Sequence, residues 1–184
     1  MSIIAFYGER NLNGEFSNFY RHEEFEFTFI ESFQRSNFPK SIRCNYTEKA
    51  IMAYKALLMN DIETFNKIIR SFNPFETKKL GREVKNWNQQ LWDDNIEEIA
   101  FQVVFQKFSK IEEFRDFLLK TKNDIIVEAS PYDKIWGVGL PIKYVTYDIT
   151  KWKGKNILGY ALMEAREAIR NNTIERTRIP RHYD

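Results

Sequence analysis

The amino-acid sequence predicts an α+β fold in which helices predominate, and three observations carry that expectation. Short apolar or alternating runs lie toward both chain ends, at residues 3–7 and 25–29 on one side and 125–127 and 143–149 on the other. Between them, from Thr47 onward, apolar residues recur at helical spacing. Strand-like and helical stretches are not interleaved as repeated βαβ units, which argues against a doubly wound sheet.

Taken in order, Ile3, Ile4, Ala5, Phe6 and Tyr7 read as a strand, and residues 8–14 supply Asn and Gly turn chemistry before Phe16, Ser17, Asn18, Phe19 and Tyr20. Residues 25–29, Phe-Glu-Phe-Thr-Phe, alternate with period two and fit a strand with one wet face. Residues 31–45 show no clear period. Thr47 is a candidate N-cap for a helix whose apolar stripe is Ala50, Ile51, Tyr54, Leu57 and Leu58. Asn60 or Asp61 caps a second helix carrying Ile62, Phe65, Ile68 and Ile69. Asn73 and Pro74 open a third, with Gly81 as its stop. A long helix fits Leu91, Ile96, Ile99, Val103 and Val104, and Ser109 with Glu112 reads as a capping box for the next. Ile125, Ile126 and Val127 form a buried strand, residues 143–149 alternate again, and a last helix begins near Asn156 with Leu158, Leu162, Ala165 and Ile169 inside. The whole reads as one domain over residues 1–171 and a basic C-terminal tail, 172–184, whose few apolar groups would hold it loosely.

Composition narrows the class. With 16% aromatic residues, sixteen of them Phe, the core should be dominated by rings. Twenty-eight Lys and Arg against 26 Asp and Glu give +2, too small a surplus for a protein that coats DNA, though local basic patches stay open. Cys44 alone excludes an intramolecular disulfide, and His22 and His182 leave no Cys/His cluster for a structural zinc; no metal site is expected, and no cofactor is called for. No apolar run approaches the roughly 20 residues of a membrane span, and no secretion leader is visible, so the expected location is the cytoplasm.

The candidate chemistry centres on residues 126–140, where an apolar run gives way to Glu128, Asp133, Trp136, Gly137 and Gly139. Pro131 cannot continue a strand ladder, so the chain leaves the core there, offering an acid, a flat ring and approachable backbone. Glu48, Met52 and Lys55 share one helical face. Alone, Glu48 in the first turn is explained by the helix dipole, and Lys79 and Arg82 around Gly81 by a helix C-terminus as well as by a phosphate. Trp87, Trp92 and Trp152 are each explained as core anchors before they are explained as stacking platforms. Residues 151–156, Lys-Trp-Lys-Gly-Lys-Asn, fit either an anion site before a helix or a solvated turn.

Together these pieces occur in a telling order: Phe16-Ser17-Asn18-Phe19-Tyr20, Thr47-Glu48, Leu80-Gly81-Arg82 with Trp87, residues 127–139, and residues 153–163. In that order they resemble the NADAR superfamily of YbiA-like N-glycosidases, from about Ile4 to Arg170. The resemblance implies hydrolysis of an N-glycosidic bond between a base and a phosphorylated ribose. The implied substrates are ribosylamino-pyrimidine intermediates of riboflavin synthesis or ADP-ribosylated guanine in nucleic acid. The family's acidic helix start falls on Glu48, its tryptophan after the Gly-Arg pair on Trp87, and its Asp-x-x-Trp-Gly element on Asp133, Trp136 and Gly137. The sequence departs from the family after Glu48, where Lys49, Ala50, Ile51 and Met52 replace the usual His, aromatic pair and Gln. It is also longer than the family pattern between Arg21 and Tyr46, which bears on substrate choice.

The implied scheme makes Glu48 and Asp133 the catalytic carboxylates, without assigning which serves the sugar cation and which the departing base. Trp87 and Trp136 stack, Gly137 allows close approach, Lys55, Arg82, Lys153 and Lys155 hold phosphates, and Asn18 meets sugar hydroxyls. The alternative is a non-catalytic module that binds ADP-ribose or an NAD-related nucleotide with the same groups. A purely structural protein would leave the ordered motifs without a common cause.

Overall fold

A computed structural model describes residues 2–184, and the chain divides into two compact units. One is built from both chain ends, up to Tyr20 and from Val104 on, and is called the terminal unit here; the other, Arg21–Val103, is the inserted unit.

In the terminal unit, β1 (Ile3–Phe6) pairs in parallel with β4 (Ile125–Glu128), Ile3 opposite Ile125 and Phe6 opposite Glu128. The β-branched run at 125–127 is therefore the buried strand that its composition predicts. Helix α6 (Ile157–Arg170) packs on β4, and α5 (Glu112–Leu119) packs on α6. Phe16 is the hub of a ring cluster, with Phe6, Phe108 and Phe117 at centroid distances of 5.5, 6.0 and 4.8 Å. A second cluster joins Val127, Val138, Leu140 and Trp152.

In the inserted unit, β2 (Phe25–Thr28) pairs antiparallel with β3 (Ser41–Cys44). The period-two reading of β2 holds, with Phe25 and Phe27 buried and Glu26 and Thr28 exposed. Helices α1 (Glu48–Leu58), α2 (Ile62–Arg70) and α3 (Pro74–Arg82) pack on one another, followed by the first part of α4 (Gln89–Lys110). Tyr54 of α1 gathers Phe27, Phe29 and Phe33 edge-on, and its hydroxyl accepts from the Ile30 amide at 3.0 Å. Burial pushes that phenol above its usual pKa. Asp61, not Asn60, caps α2: its Oδ1 accepts from the Thr64 amide at 3.0 Å, while Asn60 takes a left-handed turn with φ of 56°. Asn73 caps α3 through the Phe75 amide.

Five expectations are corrected. Residues 41–44, without a period of their own, form β3 because β2 supplies the partner. Residues 143–149 form no strand; 3-10 turns occupy Ile142–Tyr144 and Ile149–Lys151, and the Asp148 carboxylate caps the second through the Thr150 amide. Gly81 does not stop α3 but lies inside it. Ser109 is still within α4 and Ile111 holds the N-cap of α5, so no capping box forms. The tail is not loosely held: Arg181 is buried, and Ile179 and His182 are bonded to α6. Among the described residues, no helix is long and apolar enough to cross a membrane.

Candidate functional site

Apart from Asn18, the candidate site residues fall into two clusters, one in each unit. In the inserted unit, Glu48 opens α1 with only 6% of its surface exposed, and Lys55 follows two turns later on the same helix. The Lys55 ammonium stands 5.1 Å from the centre of the Trp87 ring and 5.2 Å from that of Trp92. The two indoles are themselves 5.8 Å apart. Trp92 is buried and serves as the anchor, whereas Trp87 is 41% exposed and offers a free face. Burial lowers the pKa of Lys55; the Glu48 carboxylate works against that shift, and the cations Lys78 and Arg82 add to it. Helices α1 and α3 and the segment after α3 thus combine a buried acid, three cations and an exposed indole. Lys78 was not singled out from the sequence; its spacing of four from Arg82 is the signal that places both near Lys55.

In the terminal unit, the loop after β4 and the turn before α6 are stitched together by backbone bonds. The carbonyls of Lys134, Ile135, Trp136, Gly137 and Val138 accept from the amides of Lys155, Ile157, Leu158, Asn156 and Lys153 respectively, at 2.8 to 3.2 Å. A helix N-terminus usually offers such amides to an anion. Here the loop after β4 takes the amides of Lys153, Lys155, Asn156, Ile157 and Leu158, and the cationic groups that the turn still offers an anion are the exposed side chains of Lys153 and Lys155. Gly154 is required by close approach: a Cβ there would overlap the Gly137 carbonyl.

Asp133 is half-buried, and its Oδ1 accepts from the Ile135 and Trp136 amides at 2.9 and 2.8 Å. The carboxylate therefore shapes the turn that presents Trp136, and it is oriented by doing so. Gly137 is buried within the stitched loop. Asn156, missed from the sequence as more than a helix start, completes the framework. Its side-chain amide donates to the Ile126 carbonyl and accepts from the Glu128 amide, both at 3.0 Å, so that one side chain continues the β4 ladder. The Glu128 carbonyl accepts from the Val138 amide, which gives that residue the structural part that its place in the strand suggests.

Asn18 is buried beside Ser17. The segment is held by Lys107, whose ammonium donates to the carbonyls of Glu15 and Ser17 at 2.5 and 3.5 Å and lies over the rings of Tyr20, Phe108 and Phe114. Among the described residues no group of three or more His, Cys, Asp or Glu is placed to hold a metal ion. An open groove of about 590 Å³ on the inserted unit, lined by Lys67, Arg70, Phe72, Asn73, Glu76 and Leu80 among others, contains none of the candidate catalytic or substrate-binding residues.

Comparison with known proteins places the chain in a family. The chain is 44% identical over 121 residues to N-glycosidase R617 of Acanthamoeba polyphaga mimivirus, covering 65% of this chain and 71% of that protein. It is 35% identical over 159 residues to protein irg-1 of Caenorhabditis elegans, covering 84% and 74%. The NMR structure of the Escherichia coli protein YbiA superposes with a TM-score of 0.70 at 26% identity, covering all of this chain and 92% of that one. The family model described as the NADAR domain matches residues 5–170. The chain belongs to the NADAR domain family.

Proposed function

We propose that this protein hydrolyses the N-glycosidic bond between a base and a phosphorylated ribose. The observation that carries the proposal is the cluster on α1, where buried Glu48 and cationic Lys55 share a helix face and the Lys55 ammonium lies against the exposed indole of Trp87. The name of the mimiviral relative, an N-glycosidase, supports the same reading.

Cleaving the C1′–N bond develops oxocarbenium character on the ribose and negative charge on the departing base. Glu48 and Asp133 supply two carboxylates for these opposite demands, one facing the sugar cation or its attacking water, the other the leaving base. Trp87 and Trp136 stack on the flat parts of the substrate, worth about 1–3 kcal/mol per stacked base. Lys55, Arg82, Lys153 and Lys155 neutralise phosphate through their side chains, and the Asn18 amide meets ribose hydroxyls. Ribosylamino-pyrimidine phosphates and ADP-ribosylated guanine in nucleic acid both carry the groups this scheme needs.

The test is release of free base from each substrate by the wild-type chain and by Glu48→Gln and Asp133→Asn. Asparagine retains an oxygen that can accept from the Ile135 and Trp136 amides, so the second change isolates charge from turn geometry. Losses of about 10²–10⁴ in rate are expected for each. Full activity in both variants would reject the assignment, and tight binding without base release would identify a non-catalytic module. A nucleic-acid substrate also predicts affinity that falls steeply with salt, whereas a small metabolite predicts a shallow dependence.

A further inference from the structure

The family match ends at residue 170, yet the chain beyond it returns to α6 within the terminal unit. Glu164, with no exposed side-chain surface, accepts from Arg181 at 2.6 Å, Arg176 at 2.8 Å and the Ile179 amide at 2.9 Å. Asp184 then closes the segment on itself, accepting two bonds from the Arg178 guanidinium at 2.7 and 2.8 Å and one from the Arg181 amide at 2.7 Å. A buried carboxylate met by two guanidinium groups and an amide holds its segment in one register.

That register delivers His182 and Tyr183 to the turn at residues 153–155. His182 Nε2 lies 3.1 Å from the Gly154 carbonyl and Nδ1 lies 3.1 Å from the Tyr160 hydroxyl. A carbonyl can only accept, so the proton sits on Nε2 and the Tyr160 hydroxyl donates to Nδ1. The ring also packs edge-on against Trp152 at 5.2 Å. The next residue, Tyr183, places its ring 5.5 Å from the Lys155 ammonium. The same turn is already tied through the Lys153 and Lys155 amides to the loop after β4, so the tail adds the hold on Gly154 and on the Lys155 side chain.

We propose that residues 176–184 are a positioning strap, in which His182, through Gly154, and Tyr183, through the Lys155 side chain, hold Lys153 and Lys155 ready for a phosphate group of the ligand. The inference rests on the proposed role of those lysines. With the backbone bonds alone, the two exposed lysine side chains would have to be ordered when the ligand arrives; the strap orders them beforehand.

The test is calorimetric titration of the 184-residue chain with ADP-ribose, alongside thermal unfolding. His182→Ala and Tyr183→Leu should each weaken binding about three- to tenfold, the scale of one lost hydrogen bond or ring contact. In the Lys155→Ala background, Tyr183→Leu should have no further effect on affinity. Where turnover is measured, KM should rise while kcat stays within twofold. Unchanged affinity in both single variants overturns the strap, as does an equal loss with and without Lys155, which marks a general structural effect. Failure of the wild type to bind ADP-ribose overturns it as well. Binding without release of base leaves the strap standing and removes only the hydrolytic reading.

Discussion

Gly81 of α3 lies against Met52 of α1 so closely that a Cβ at position 81 would overlap the Met52 sulfur. The absence of a side chain at position 81 lets Met52 pack against α3, the helix whose Lys78 and Arg82 act electrostatically on Lys55 of α1. Alanine is the better helix former by about 1 kcal/mol, so propensity alone would favour Gly81→Ala. Overpacking outweighs it, and Gly81→Ala is expected to destabilise by about 1–3 kcal/mol in urea unfolding. Met52→Ala in the same chain should recover part of the loss; purely additive effects would show that the two positions are not in steric conflict.

Lys107 carries a pH signature. Burial pushes its pKa down to about 7, with the Glu15 carboxylate acting the other way. The unfolded chain keeps the same proton up to about pH 10.4. Between those values the unfolded state binds more protons than the folded one, so stability rises with pH, and below about 7 the full penalty of the buried charge applies. Relative to Lys107→Met, the wild-type chain should therefore gain stability as pH rises from 7 to 10. A wild-type-minus-variant difference that is flat across that range contradicts the shift.

Trp87 and Trp92 should separate cleanly. Trp92 is buried, and Trp92→Ala should cost about 3–5 kcal/mol of stability. Trp87→Ala should leave thermal unfolding nearly unchanged and weaken binding of a nucleotide-like ligand by about 1–3 kcal/mol. A stability loss at Trp87 equal to that at Trp92, with ligand affinity retained, would make Trp87 an anchor.

The tail's anchorage is tested at Glu164. Glu164→Ala strands two guanidinium groups and is expected to cost about 3–5 kcal/mol, whereas Arg178→Ala, which breaks an exposed pair with Asp184, should cost about 1 kcal/mol or less. Urea unfolding of both variants checks the order, and the reverse order would place the anchor outside the buried carboxylate.

What the sequence by itself determined was whatever depends on residues a turn or two apart. The stripe of α1, the alternation of β2 and the Asn73 cap of α3 follow from 3.6- and two-residue periods and from side chains that reach backbone amides nearby. Glu48, Lys55, Trp87, Asp133 and Trp136 were legible as candidates because their order along the chain resembles a known family. Tertiary structure decided where local rules were balanced or where the partner is distant in sequence. Gly81 became an interior contact because Met52 faces it, and residues 41–44 became a strand while 143–149 did not, because only the former meet a partner strand among the described residues. The amides at the start of α6 were taken by the loop after β4, and a tail poor in apolar residues was held by the buried charge of Glu164. A ladder bond or buried ion pair needs a matching group at a few ångströms, and only the folded chain brings that group there.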